Sequence, residues 1–515
     1  MRSLHPIDLF IIILVLGATL FLGLWFARKQ GTTEQFFLSK GNFPGWALGM
    51  SLLSTLISSV TFLGYPAQGF ASNWLLLVQG LMVPIVLVFA IGYIVPLYRR
   101  TIGLSTYEYF EKRFGPFARY YSSSSFVLRQ FAGMGTVLFL IAVAINRMTG
   151  LSPEIILLVV GSILIVVNWA GGMQAVVWLD VFQGFMLFIS GIVCVGILLY
   201  SINGGLPEAL NIAAMHGRSG FGPYEFSFSK LTLIVMVING AFYAIQKYAT
   251  DQTVVQRYLS AKDDRSAIRA SMMGILLTVP VWIMFMFIGT LLFVYYQQHP
   301  MTNSLQAEAV FPHFIITELP VGLVGFIVAA LISAAICSLS ADLNSMAAVG
   351  IEDYYKKFRK GRADGEYLRA SKIFVFVSGL LSMGVAAIYL NAGNEGVLGI
   401  IFTVYAIFSG GIVGIFLLGL FSRRVNTKGI NIGIVACILF TSYAFLTSTP
   451  IGLPGEEHLL LDLGALNFTH HKLMLGVYSH LVLMVVGYVS SLFFPFVPPD
   501  ENLVYASDRN QQKKQ

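Results

Sequence analysis

The chain is short of charge. Of its 515 residues only 11% are Asp, Glu, Lys or Arg, against about 25% in soluble domains. Cysteine is scarcer still. Cys194, Cys337 and Cys437 all lie inside apolar runs, so no disulfide framework is implied. The eight histidines (His5, His216, His299, His313, His458, His470, His471 and His480) form no HExxH pair, and no nucleophile constellation stands out. That argues against an enzyme. No Walker loop is present, so ATP does not drive the protein. No short-period repeat is visible. The first apolar run is too long for a cleaved signal peptide and lacks its basic front and small-residue cleavage site.

What the chain has instead is hydrocarbon. It is 56% hydrophobic with a mean hydropathy of +0.76. Thirteen apolar runs are each long enough to cross about 30 Å of lipid: 7–27, 46–70, 75–98, 122–147, 154–172, 177–201, 231–249, 270–296, 321–349, 370–391, 397–421, 427–447 and 473–494. The expected fold is therefore an all-α membrane protein of about 13 transmembrane helices, residues 1–499 forming one domain. A polar cytoplasmic tail, 500–515, is expected to be disordered. Lys and Arg orient the spans. With the N-terminus outside, the inner loops hold clusters such as Arg99, Arg100, Lys112, Arg113 and Arg119, then Arg257, Lys262, Arg265 and Arg269, then the run from Lys356 to Arg369. Arg423, Arg424 and Lys428 follow, and the C-terminus is also inside. The net charge of +7 then faces anionic lipid, not nucleic acid. This is a multi-pass protein of a plasma or inner membrane. The sequence assigns no oligomeric state.

One run is built to break. Gly49 to Phe70 reads GMSLLSTLISSVTFLGYPAQGF, with Ser51, Ser54, Thr55, Ser58, Ser59 and Thr61 at its centre and Gly64 and Pro66 after them. If the helix unwinds there, its freed carbonyls must line a protein-enclosed cavity, where they and the hydroxyls are hard ligands for a small cation. The alternative is an intact Ser/Thr-rich helix packed closely on a neighbour. Spans 2–6 and 7–11 make two sets of five with opposite topology, core repeats of about 46–201 and 231–421. Span 7 is interrupted in its turn by VINGAFYAIQKYATDQ. Paired interruptions at the start of inverted halves point to a midplane binding site.

Several polar groups sit at membrane depth. Asp342 lies in span 9 (AALISAAICSLSADLNSMAA), on the face it shares with Ser338 and beside Cys337 and Ser340. A carboxylate there is either functional or a hydrogen-bonded group near the inner end. Asp180, in WLDVFQG, is either a cation-relay carboxylate or an acid favoured by a helix start. Arg129 either snorkels inward or clamps a substrate carboxylate. Lys247 is the other cation inside a span. Gln79 and Gln246 are suited to bonding substrate hydroxyls.

Five dispersed motifs carry a resemblance: FPGWALGMSLLSTLISSVTFLG (43–64), STYEYFEKRF (105–114), WAGGMQAVVWLDVFQG (169–184), YATDQTVVQRYLSAK (248–262) and SLSADLNSMAA (338–348). In these the chain resembles the sodium/solute symporters that include sodium–glucose, iodide, monocarboxylate and sialic acid carriers, over roughly 7–495. The resemblance implies a LeuT-like inverted five-plus-five helix repeat with flanking helices, no cofactor, and sodium as coupling ion. It implies a main sodium site from the carbonyls of Ser54, Ile57 and Ala334 and the side chains of Cys337 and Ser338. Cys337 stands where a Ser hydroxyl is usual, and a thiol is a poor ligand for a hard cation. A second cation site would fall at Asp180, Cys337, Ser340 and Ala341; Ala341 has no side-chain oxygen unless Asp342 compensates. Thr55, Leu56, Ser58, Thr61 and Gln79 would line the substrate pocket. The sialic acid carriers' carboxylate-binding arginine falls at Gly133, one turn from Arg129. The function this implies is sodium-coupled import of a small polar organic solute, a sialic acid or other organic acid foremost. A sodium/sugar or polyol symporter is the alternative. Two further rivals are a proton-coupled carrier using Asp180 and Asp342, and a non-transporting sensor; no signalling domain follows Pro499.

Overall fold

The computed structural model describes residues 4–27, 31–39, 43–57, 59–301, 305–391, 410–451 and 458–505, with the side chains of 27, 59, 60 and 451 excepted. It is helical almost throughout. The helices are α1 (Pro6–Ala27), α2 (Thr33–Phe37), α3 (Gly45–Leu56), α4 (Ser59–Ala71), α5 (Leu77–Thr101), α6 (Tyr107–Phe114), α7 (Pro116–Thr149) and α8 (Pro153–Ser201). Then come α9 (Gly205–Met215), α10 (Leu233–Ile245), α11 (Gln252–Ser260), α12 (Asp264–Gln298), α13 (Ala307–Glu318), α14 (Leu323–Val349), the short α15 (Lys356–Phe358) and α16 (Asp364–Asn391). Three more follow: Ile412–Phe421, Thr427–Leu446 and Lys472–Leu492. A two-residue antiparallel pairing, Pro450–Ile451 with His458–Leu459, closes the 448–472 loop.

Among the described residues nine helices are long and apolar enough to cross a bilayer, ten when the bent pair α3 and α4 counts as one span. The expectation of thirteen separate spans differs at definite places. The fifth and sixth run together as α8, whose 49 residues would reach roughly 73 Å at 1.5 Å per residue, far more than one crossing needs. Gly172 turns it, at φ 51° and ψ −153°. A Cβ there would also sit 2.6 Å from the Phe36 carbonyl oxygen, so only glycine serves both the turn and the contact. The expected eleventh span is described only from 410 onward.

The LeuT-like plan of two inverted five-helix halves is met. The first half starts at a break: α3 ends at Leu56, Ile57 is extended at φ −102° and ψ 102°, and α4 restarts at Ser59. The second half starts at another: α10 passes into a π-helical turn at Gln246–Thr250, Asp251 is extended, and α11 resumes at Gln252. Asp251 caps the new helix, accepting from the Thr253 N–H at 2.9 Å. The core surrounds α14, whose most apolar window is 89% buried, whereas that of α1 is 17% buried and so belongs to the lipid-facing periphery. Small residues let α14 approach its neighbours this closely.

Both halves of the broken helix lie along α12. Gly49 and Gly274 make the contact with α3, Gly69 and Gly289 the one with α4. A Cβ on Gly289 would stand 2.2 Å from the Pro66 carbonyl oxygen, and one on Gly69 would stand 2.3 Å from that of Met286.

The expected disorder after Pro499 does not hold for 501–505. Leu503 and Val504 are buried, the Leu503 carbonyl accepts from the Tyr109 hydroxyl at 3.0 Å, and Tyr505 meets Tyr93 and Phe421. Residues 506–515 lie outside the described residues.

Candidate cation and substrate site

Breaking a helix inside a bilayer leaves backbone oxygens without helical partners. At the α3–α4 break, Ser54 and Ile57 face α14 and α8. With Leu53, Gln183, Gly184, Leu187, Val281, Ala334 and Cys337 they line a cavity of about 10 Å³. That is the space of one water-sized particle, the size of a bare monovalent cation. The expected main sodium residues Ser54, Ile57, Ala334 and Cys337 are thus brought together. Ser338 is not among the cavity's lining residues. It is buried, and its hydroxyl turns back on its own helix with long contacts to Ala334 and Ala335 (3.4 and 3.3 Å).

Gln183 was not among the residues singled out from sequence. It is 1% exposed, lines this cavity, and neither its Oε1 nor its Nε2 has a hydrogen-bond partner among the described residues. An orphaned buried carboxamide is costly, and this one needs something in the cavity. Gly184 follows it because any Cβ there would fall 2.2 Å from the Ser54 Oγ.

Asp180 sits beside this cavity, fully buried on α8. Its carboxylate accepts from the Ser51 hydroxyl, the Cys337 thiol (2.7 Å) and the Arg257 guanidinium (2.8 Å). Ser54 donates to the Asp180 carbonyl at 2.6 Å, and Arg257 also donates to Ser51 at 2.8 Å and to the Thr253 carbonyl at 2.6 Å. Arg257 corrects the sequence reading. It is not an inner-rim charge but 2% exposed, reaching inward from α11. Its long stem lets a residue near a span end deliver charge to the interior. Arg119, also assigned to an inner loop, is likewise buried and paired with Asp353 and Glu111.

The other residues of the expected second cation site go elsewhere. Ser340 accepts from Asn168 Nδ2 at 3.0 Å. Asp342 accepts from the Thr253 hydroxyl at 3.2 Å, which also meets Ser345. Around it lies a second charged cluster: Asp251 is fully buried between Arg129 and Lys247, the latter at 3.0 Å. Arg129 is therefore neither snorkelling nor an uncommitted clamp; a carboxylate already holds it.

Of the expected substrate-pocket residues, Thr55 and Thr61 are buried and Leu56 is half-buried. Thr55 bonds the Ser51 carbonyl at 2.7 Å. Gln79 donates to Asn239 at 2.8 Å, joining α5 to α10 across the two halves. Gln246 is half-buried in the π-helical turn, and Ser58 lies outside the described residues. Gly133 has open space around it, with nothing within 4 Å of a Cβ.

The arrangement of two opposed breaks, a cation-sized cavity and a buried carboxylate agrees with what comparison finds. The family model for the sodium:solute symporter family matches residues 36–436. The chain belongs to this family. The symporter is 31% identical over 484 residues to a sodium/sialic acid symporter of Aliivibrio fischeri, covering 93% of this chain and 92% of that one. It is 30% identical to a sodium/sialic acid symporter of Proteus mirabilis, over 82% and 86% of the two chains. A solved structure of a Na+-coupled sialic acid symporter, substrate-bound and outward-open, superposes with a TM-score of 0.87 at 26% identity. It covers 96% of the symporter and 99% of its own chain. The symporter is a multi-pass membrane carrier, not an enzyme, and sodium is its coupling ion.

Proposed function

We propose that the protein imports a sialic acid together with sodium by alternating access. The observation that carries this is the identity to a sodium/sialic acid symporter over nine-tenths of both chains, joined to the cation-sized cavity at the α3–α4 break. Sodium sits against the carbonyls of Ser54, Ile57 and Ala334, with the Ser338 hydroxyl one turn above Ala334. Cys337 donates its proton to Asp180, so it adds little to a hard cation. The Gln183 Oε1 supplies the hard oxygen that the thiol does not.

The second cation position is filled from within. The Arg257 guanidinium neutralises Asp180, Ala341 has no oxygen to offer, and Ser340 and Asp342 belong to other networks. The coupling ratio is one sodium per substrate. Substrate lies between Thr55, Leu56, Ser58, Thr61, Gln79 and Gln246. The first-turn N–H groups of α4 receive its carboxylate, because a helix start inside the membrane favours an anion and Arg129 is already paired. The N-terminus faces outside and the C-terminus the cytoplasm, a reading supported by the bias of Lys and Arg among the loops.

Purified protein in proteoliposomes, given an inward sodium gradient and N-acetylneuraminic acid, glucose or pyruvate, tests the reading. Sodium-dependent uptake of N-acetylneuraminic acid above the other two is expected. Sodium-driven uptake of glucose or pyruvate alone would reassign the substrate, and equal uptake with sodium or choline outside would remove sodium coupling. Charge moved per substrate at several voltages tests the single sodium, and labelling of cysteines engineered at each terminus tests orientation.

A further inference from the structure

A second cavity shares no lining residue with the one at the α3–α4 break. It lies where the end of α6, the start of Thr427–Leu446 and the chain leaving Lys472–Leu492 meet, and its volume is about 450 Å³. Lys112, Arg113 and Lys428 line it, against one carboxylate, Asp500. No ion pair joins any of the three cations to a carboxylate among the described residues. Arg113 is 8% exposed and donates to two neutral groups, the carbonyls of Gly419 (3.2 Å) and Ser422 (2.6 Å). Lys112 donates to the Thr101 carbonyl, and Lys428 lies over the Phe494 ring at 5.2 Å. Asp500 is occupied by the Asn502 N–H and Nδ2 at 2.9 and 3.0 Å.

A second observation is independent of these side chains. Asn426 caps the 20-residue Thr427–Leu446 helix, accepting from the Gly429 N–H at 3.0 Å. The Thr427 and Lys428 N–H groups precede that bond and have no intrahelical acceptor. Both residues line the cavity. Free N–H groups at a helix start beside unpaired cations form an anion site. Next to it the surface is apolar: Phe493 is 82% exposed, Val497 64% and Phe496 55%. A phosphate held in the cavity would have acyl chains ready to lie along these three residues.

We propose that this cavity binds the phosphate of an anionic phospholipid, at the end of the molecule that carries the basic loops. Lys112, Arg113 and Lys428 hold the phosphate, and Phe493, Phe496 and Val497 take the chains. Site and ligand are separate from the sodium cavity, and nothing in the binding depends on the transported substrate.

The test uses the full-length protein in detergent, titrated with dioleoyl phosphatidylglycerol or dioleoyl phosphatidylcholine and read by native mass spectrometry and melting temperature. Phosphatidylglycerol should be retained and raise the melting temperature; phosphatidylcholine should not. The double variant Lys112→Gln/Lys428→Gln keeps the buried Arg113 and should fold. Its affinity for phosphatidylglycerol should fall about 30-fold, at roughly fivefold for each basic residue near an anionic surface. Unchanged affinity in a folded double variant overturns the proposal, as does equal retention of the two lipids. A third arm uses inorganic phosphate. If it displaces phosphatidylglycerol at equal concentration, the occupant is free phosphate and the lipid assignment fails. The readout involves no transport, so this result stands or falls apart from the substrate reading.

Discussion

Replacing Arg257 by Gln is the sharpest test of the interior charge arrangement. The guanidinium and the Asp180 carboxylate are both essentially inaccessible, 1% and 0% exposed at their side chains, and 2.8 Å apart. Removing one partner of such a pair strands the other in low dielectric, at a cost of about 3–5 kcal/mol. Ser51 and Cys337 would still hydrogen-bond to Asp180, which places the expected loss at the lower end, about 3 kcal/mol. Asp180→Asn should cost a comparable amount, because Arg257 then keeps only Ser51 and the Thr253 carbonyl. The double variant Asp180→Asn/Arg257→Gln removes both charges of this pair and strands neither. It should recover a coupling energy of about 2–3 kcal/mol relative to the sum of the single changes.

Sodium separates this reading from a purely structural one. In Arg257→Gln the bare carboxylate becomes a second place for a cation. The variant should therefore be stabilised by sodium more than the unaltered protein is, by about 2.7 kcal/mol once sodium reaches a hundredfold over the new site's dissociation constant. Thermal unfolding of the purified protein in sodium or choline chloride, with the four proteins of the cycle side by side, measures both quantities. Additive single effects, or the same sodium-induced shift in Arg257→Gln as in the unaltered protein, would refute the claim that Arg257 occupies the place of a second ion.

Other outcomes follow from the same geometry. Gln183→Leu should raise the half-saturating sodium concentration for uptake about tenfold, as expected for one lost oxygen ligand worth about 1.5 kcal/mol, while Gln183→Glu should retain activation. Cys337→Ser should leave or improve sodium activation and Ser338→Ala should weaken it; unaltered sodium curves in both would move the ion elsewhere. Gly289→Ala drives a Cβ into the Pro66 carbonyl and should lower stability by about 1–3 kcal/mol, read as a fall in melting temperature. Arg129→Gln should lower uptake of acidic and neutral candidates alike, because it unbalances Asp251 and Lys247; selective loss of the acid would restore Arg129 as a carboxylate clamp.

Much of the fold can be read from the chain because lipid admits few solutions. Runs of about 20 apolar residues and the placement of Lys and Arg leave little choice of helix positions. The broken helix was also legible, from its crowd of hydroxyls, yet the break comes at Ile57, ahead of the two expected helix breakers. Gly64 and Pro66 instead lie inside α4, and the Pro66 carbonyl faces Gly289 on α12. The long α8 was read as two spans, 154–172 and 177–201, because its length exceeds one crossing, whereas the chain turns at a single glycine, Gly172, without leaving the helix for a loop. Arg257 and Arg119 were misplaced for a different reason: counting charges by loop treats each as sitting where its Cα does. Gln183 carries no local signal at all. A glutamine one turn after a buried acid becomes informative only when the opposing helices show that its amide has no partner.

The contact of both broken-helix halves with α12 bears on how the sodium cavity comes to exist. A helix interrupted in this way would ordinarily flex at the break, and an ion would have to gather its ligands from a range of bend angles. Here α12 runs past the interruption like a splint, seated against α3 at Gly49 and Gly274 and against α4 at Gly69 and Gly289. The angle between the halves is therefore fixed by packing that exists before any cation arrives. On the sodium site proposed above, the ion would enter a cradle already shaped, and little of its binding energy would be spent on ordering the backbone. What the ion can then do is join this splinted unit to α14 through Ala334, so that its arrival or departure decides whether two rigid bodies move together or apart.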